Sequence, residues 1–173
     1  DGMRDGRCDA RDVVLAGEGL AHHTGEAAGA VGRMLDLGTL PFMLSSILVG
    51  VVAQRLVRRI CPHCAEDDYL TEEQIHGLRI QGARGKKLRI KKGRGCVRCR
   101  HTGYLGRTGL FEVMPITPRI QRLISERASS QDIMREAVND GMLTLREYGI
   151  KKIASGETTF SEVMALTDEK ALY

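Results

Sequence analysis

The sequence predicts an α-rich α/β fold, and three observations predict it. Apolar residues recur at helical spacing in several segments that carry recognisable caps. At least two short segments alternate instead as strands do. Aromatics make up 4% of the 173 residues and Trp is absent, so the core rests on Leu, Ile, Val and Met, which suits helices better than an aromatic-rich sandwich.

Taken in order, Asp1 to Gly25 is rich in glycine and charge and reads as loop, with one short strand around Val13, Val14 and Leu15. Val31, Met34 and Leu35 then keep helical spacing from Ala27 to Leu37, where Gly38 stops the run. Pro41 opens a second expected helix, Phe42 to Arg59, whose apolar positions are dense enough to demand burial. Its last turns carry Arg55, Arg58 and Arg59, expected to be solvated cations at the negative end of the helix dipole. Thr71-Glu72-Glu73-Gln74 has the form of a capping box and starts a short helix with Ile75 and Leu78. In the basic run from Gly82 to Gly95, Leu88 and Ile90 alternate as in a solvated edge strand.

Thr108 to Ile116 reads as a strand ending at Pro115, and four short helices follow. Thr117-Pro118 is a cap with proline at the first helical position. Ser130 caps the next helix, which Gly141 ends. Thr144-Leu145-Arg146-Glu147 and Thr159-Phe160-Ser161-Glu162 are both capping boxes.

The bulk numbers exclude several classes. A net charge of +4 is mild for a dedicated nucleic-acid binder. The longest apolar run, Ile47 to Ala53, is too short to span a bilayer. Asp1 to Cys8 lacks the apolar stretch of a signal peptide, which suggests a cytosolic setting.

Four of the five cysteines form two C-x-x-C pairs, Cys61-Pro62-His63-Cys64 and Cys96-Val97-Arg98-Cys99, with 31 residues between them. Each turn points two thiolates to one side, and two such knuckles complete a tetrahedral zinc set with no open position, so the metal is expected to be structural. The competing reading is a redox dithiol: Cys61-Pro62-His63-Cys64 has thioredoxin-like spacing, but it follows an apolar helix and not a strand. Gly93, Gly95 and Gly103 relieve the tight turns of the second knuckle, and nearby lysines and arginines offset the thiolate charge. His63 and His101 read as solvated knuckle residues and not as substitute ligands. Cys8 reads as an incidental thiol.

Together these residues carry a resemblance. Leu44 to Arg59, the first cysteine pair, the second pair, then Gly103-Tyr104-Leu105-Gly106-Arg107-Thr108-Gly109-Leu110-Phe111-Glu112, and finally Gly141 to Glu147 with Gly156 to Thr159, closely resemble the secretion ATPases. These are the motors of type II secretion and type IV pilus assembly; the match runs from about His23 to Thr167. The tetracysteine insert resembles the secretion and pilus-extension branch. The resemblance implies the C-terminal part of a RecA-like P-loop NTPase domain with an inserted four-cysteine zinc module and a C-terminal helical subdomain. It implies segments 1–59 as a remnant of the ATPase core, 60–104 as the zinc module and 105–173 as strand plus helical subdomain. It further implies a hexameric, cytoplasmic motor at the bacterial inner membrane, coupled to a platform protein and touching the membrane indirectly.

In that family a phosphate-binding loop lies upstream of this region, with ATP and Mg2+ bound there. No G-x-x-x-x-G-K-[ST] occurs in this sequence, so the chain by itself is expected not to hydrolyse ATP. His23 and Thr24, followed by Ala27 and Ala28, resemble the family's histidine box near the nucleotide phosphates, and Gly2 to Asp5 resembles the end of its Walker B region without the water-activating glutamate. Arg107 and Glu112 are expected to pair with each other or with the zinc module.

Two other functions compete. A zinc-ribbon nucleic-acid binder or protein-interaction module would account for the cysteines and the basic run, but Gly82 to Arg98 offers no aromatic for base stacking. A chaperone-like cysteine module rests on one partial repeat.

Overall fold

A computed structural model describes the backbone of residues 12–16 and 21–22, and residues 26–78, 85 and 87–167. Helices and strands are mixed. The chain divides into two compact units, one from Asp1–Arg55 and Glu112–Met142, the other from Leu56–Phe111 and Leu143–Tyr173.

The elements run β1 (Asp12–Ala16), β2 (Ala21–His22), α1 (Ala27–Asp36), α2 (Pro41–Ile47), β3 (Gly50–Ile60), β4 (Ala65–Tyr69), α3 (Glu72–Gly77), β5 (Arg89–Gly93), a 3-10 turn (Val97–Cys99), β6 (Tyr104–Pro115), α4 (Pro118–Ser125), α5 (Ser130–Asn139), α6 (Leu145–Ala154) and α7 (Phe160–Thr167). One sheet has the order β2-β1-β3-β6, and β4 pairs with β5 in a separate ribbon. β1 runs antiparallel to both neighbours, with Val13 opposite His22 on one side and Ala53 on the other.

The expected helix from Phe42 to Arg59 is a correction. The chain leaves the helical region at Leu48 (ψ 127°) and continues as β3. From Gly50 burial alternates with period two: Val51, Ala53, Arg55 and Val57 face inward, and the β-branched valines suit a pleated surface. A dense apolar run satisfies a buried helix and a buried strand equally, so spacing does not separate them. Two further corrections follow. Arg55 is buried, at 4% exposure, and not a solvated helix end. Phe42, Met43 and Ile47 on α2 are exposed, and Leu44 and Ser45 face inward instead.

In the first unit, α1 lays Ala27, Ala28, Val31 and Met34 against Ile120, Ile124, Ile133 and Ala137 of α4 and α5. α1 and α5 approach closely because Gly32 has no side chain; a Cβ there would overlap the Ser130 hydroxyl. In the second unit Val57, Ile75, Leu78, Ile90, Leu110, Leu145, Ile153 and Val163 form the core.

The helix punctuation holds in most places. Thr71 and Thr144 make complete capping boxes with Gln74 and Glu147, and Thr117 caps α4 ahead of Pro118. The cap of α5 is Ser129, one residue before the expected Ser130. Gly141 (φ 97°) lies just beyond the end of α5. At Thr159 half the box forms: the Glu162 amide donates to Thr159 Oγ1 at 3.5 Å, but the Glu162 carboxylate is taken by Arg58.

β4 lay outside the sequence expectations, since Glu66, Asp67 and Asp68 carry no strand signal. Charge pairing with β5 explains it. Asp67 bonds Arg89 and Lys91, and Lys92 reaches Glu66 and Asp68 at 3.7 and 3.6 Å. Opposite charges facing across a ladder favour the pairing.

Candidate metal centre

Cys61 follows strand β3 directly, which corrects the expected helix before this pair, although strand β4 and not a helix follows Cys64. The Cys61 amide donates to the Gly103 carbonyl at 2.9 Å. The Pro62-His63 turn returns the chain so that the Cys64 amide donates to Cys61 O at 3.3 Å. The second knuckle is tighter. After the 3-10 turn, Arg100 and His101 both take left-handed φ, 53° and 60°, and the His101 amide closes on Cys96 O at 2.8 Å. Few non-glycine residues adopt that conformation, so the surrounding bonds must hold it.

These turns gather all four sulfurs within 4.8 Å of one another, with Cys61, Cys64 and Cys99 buried. Three separations are 3.9 Å (Cys61–Cys96), 3.9 Å (Cys64–Cys99) and 3.7 Å (Cys96–Cys99). Four sulfurs at about 2.3 Å from a tetrahedral zinc ion stand about 3.8 Å apart, so the arrangement is compatible with that ion. None of the four is in a disulfide.

Backbone amides point at the sulfurs as a thiolate site requires. Cys96 N donates to Cys99 Sγ at 3.1 Å and Gly103 N at 3.3 Å. Burial opposes ionisation of Cys99, but these two amides together with the Cys96 and Cys64 side chains outweigh it and bring the thiol down to about 6. At Cys64 burial dominates and pushes the thiol up to about 12. A bound cation would draw both into the thiolate form.

The glycines around the second pair serve two purposes. Gly95 (φ 93°) and Gly103 (φ 80°) supply left-handed turns, as expected. Gly93 allows close approach of backbone: a Cβ there would overlap the Gly103 carbonyl. That approach was not legible in the sequence, since nothing local says which segment lies opposite. The histidines stay outside the cluster. His63 is exposed against the Arg98 guanidinium, with Nη1 3.2 Å from Nε2, and His101 is exposed.

His23 and Thr24 lie outside the described residues, as do Gly2 to Asp5 and Cys8. Arg107 is exposed, whereas Glu112 is 2% exposed and accepts the Ala27 amide at 2.7 Å. The expected pairing of Arg107 with Glu112 is therefore corrected: strand alternation separates them in environment, and Glu112 anchors the first amide of α1. Arg58, expected to be merely solvated, bonds Glu162 and lies over the Tyr104 ring at 4.2 Å. Neither anchor had a sequence signal, because the partners are 85 and 104 residues apart.

Among the described residues no helix is long and apolar enough to cross a membrane. The family model described as type II/IV secretion system protein matches residues 20–165. The type IV pilus assembly ATPase PilB of Thermus thermophilus is 40% identical over 147 residues, which is 85% of this chain and 16% of that protein. The type II secretion system protein HxcR of Pseudomonas aeruginosa is 40% identical over 145 residues, 84% of this chain and 27% of that protein. The type II secretion system ATPase E of Vibrio cholerae is 38% identical over 147 residues, 85% and 29%. The chain thus spans less than a third of the length of these relatives. With the matched region covering the cysteine knuckles and the capped helices alike, this chain belongs to the type II/IV secretion system protein family.

Proposed function

We propose that this chain is the C-terminal region of a hexameric ATPase that drives protein secretion or pilus assembly through an inner-membrane platform protein. The intact motor would work in the cytoplasm, at the periphery of the bacterial inner membrane. Cys61, Cys64, Cys96 and Cys99 hold one zinc ion, which stabilises the module at residues 60–104; residues 1–59 belong to the RecA-like core and 105–173 to the strand and helical subdomain. The observation that carries the reading is the joint occurrence of the four-sulfur cluster and the family match over residues 20–165.

The zinc ion, when bound, supplies a cross-link between two chain segments and no reactive position, since four protein ligands fill a tetrahedral site. The protein's own groups orient the sulfurs: Cys96 and Gly103 amides aim at Cys99 Sγ, and the Cys61 amide is tied to Gly103. His23 and Thr24 would stand near the phosphates of ATP in the intact motor, where Mg2+ is also held. Without a phosphate loop in its sequence, the chain by itself does not turn over ATP.

Elemental analysis of protein purified without added zinc, with ATP hydrolysis measured on the same sample, tests both halves. One zinc per chain with no turnover is expected. Absence of metal defeats the zinc assignment, and turnover defeats the assignment of this chain as an inactive part of the motor.

A further inference from the structure

The turn between α6 and α7 is bonded to residues that flank the metal knuckles in the chain. Ile60, next to Cys61, donates its amide to Glu157 O at 2.9 Å. Two residues earlier, the Arg58 carbonyl accepts from Thr158 Oγ1 at 2.8 Å, and the Arg58 amide donates to Glu162 Oε2 at 2.9 Å. The Arg58 side chain adds two bonds to Glu162 Oε1, from Nε at 3.0 Å and Nη2 at 2.6 Å. Across the ladder, Tyr104 follows Gly103. Its ring lies under Arg58 and its hydroxyl meets Thr159 Oγ1 at 2.9 Å.

Gly103 is the common point. It donates to Cys99 Sγ, accepts from the Cys61 amide and fixes the start of Tyr104. Residues 58–61 and 103–104 therefore face the sulfur cluster on one side and the start of α7 on the other. α7 has eight residues, too few to be stable on its own, and Thr158 before it is fully buried. Its order depends on what it docks against.

We propose that metal binding at the four cysteines and docking of α7 are coupled, so that loss of the ion releases α7 while the first unit keeps its structure. The coupling rests on the zinc reading above. Its physical basis is direct: with the ion gone, the knuckles lose the link that holds Cys61 against Gly103, and the Arg58–Ile60 and Tyr104 anchors lose their fixed positions. Reciprocity follows from linkage, because whatever the metal adds to α7 docking, α7 docking adds to metal affinity.

Hydrogen exchange read by mass spectrometry, on the whole chain with zinc and after removal by EDTA, tests the first direction. Amides of residues 158–167 are expected to lose protection by about fivefold or more, with α1 and α4 unchanged. The reverse direction uses Glu162→Gln, checked for folding by circular dichroism, which is expected to weaken zinc retention against a chromophoric chelator by about fivefold or more. Tyr104→Phe, which keeps the ring and removes the Thr159 bond, gives the same sign with a smaller change and carries the test if Glu162→Gln does not fold. Zinc bound at one per chain, with α7 protection indifferent to its removal, overturns the coupling and leaves the zinc reading intact. Loss of protection throughout both units also overturns it. A chain that binds no zinc ends both.

Discussion

Replacing Gly103 with Ala introduces strain at a residue whose backbone bonds both knuckles. Its φ of +80° is left-handed, and a Cβ there would stand 2.5 Å from the Gly93 carbonyl oxygen, a backbone atom that cannot rotate aside. The conformational part costs about 1–2 kcal/mol and the overlap about 1–3 kcal/mol, about 2–5 kcal/mol together. Opening the knuckle relieves that strain, so the strain is set against metal binding. At the low end zinc affinity falls by about thirtyfold, at about 1.4 kcal/mol per factor of ten. Gly106→Ala is the matched control, since Gly106 also has positive φ (+78°) but nothing within 4 Å of its Cβ position. It loses the conformational part in stability and keeps its zinc. Zinc competition against a chromophoric chelator, run beside thermal denaturation of both variants, reads the difference. If Gly103→Ala holds zinc as tightly as Gly106→Ala, the close approach of Gly93 and Gly103 does not support the site and the reasoning fails.

Three other substitutions probe the remaining anchors. Gly149→Ala gains about 1 kcal/mol of helix propensity but drives a methyl into Val163, which is fully buried, at about 1–3 kcal/mol. Denaturant unfolding should show net destabilisation that Val163→Ala partly relieves; a stabilised single variant would refute close α6–α7 packing. Glu112→Ala strips the acceptor from the buried Ala27 amide and should cost at least about 1–3 kcal/mol, whereas Glu112→Gln keeps a carbonyl oxygen and should cost less. Equal losses would show that acceptance of that amide does not matter. At Glu162 burial alone would raise the pKa, but the side-chain and amide bonds from Arg58 outweigh it and hold the carboxyl below its ordinary 4.5. A lowered folded value means the stabilisation is complete above 4.5 and fades as pH falls through the folded value. Glu162→Gln should flatten that acid limb of the thermal-stability curve, and an unchanged limb would assign it to other carboxylates.

What could be read without coordinates was whatever depends on near neighbours in the chain. The caps at Thr71, Thr117 and Thr144 bond amides three residues away, so their partners are written beside them. The C-x-x-C spacing sets two sulfurs on one side of a turn by local geometry, and the second pair repeats the offer. Failures came where a local signal had two solutions or a distant partner. The run after Phe42 suits helix and strand alike, and pairing with β1 made its second half a strand. Thr159 and Glu162 spell a capping box, yet Arg58, far away in the chain, takes the carboxylate.

The sequence by itself therefore determined the mixture of helices and strands, most of the cap positions and the two C-x-x-C turns whose four sulfurs the fold gathers. Tertiary structure decided which face of β3 turns inward with Arg55, which backbone lies against Gly93, and where Glu112 and Glu162 end. Those outcomes depend on contacts between segments tens of residues apart, whose free energy exists only once the segments have met.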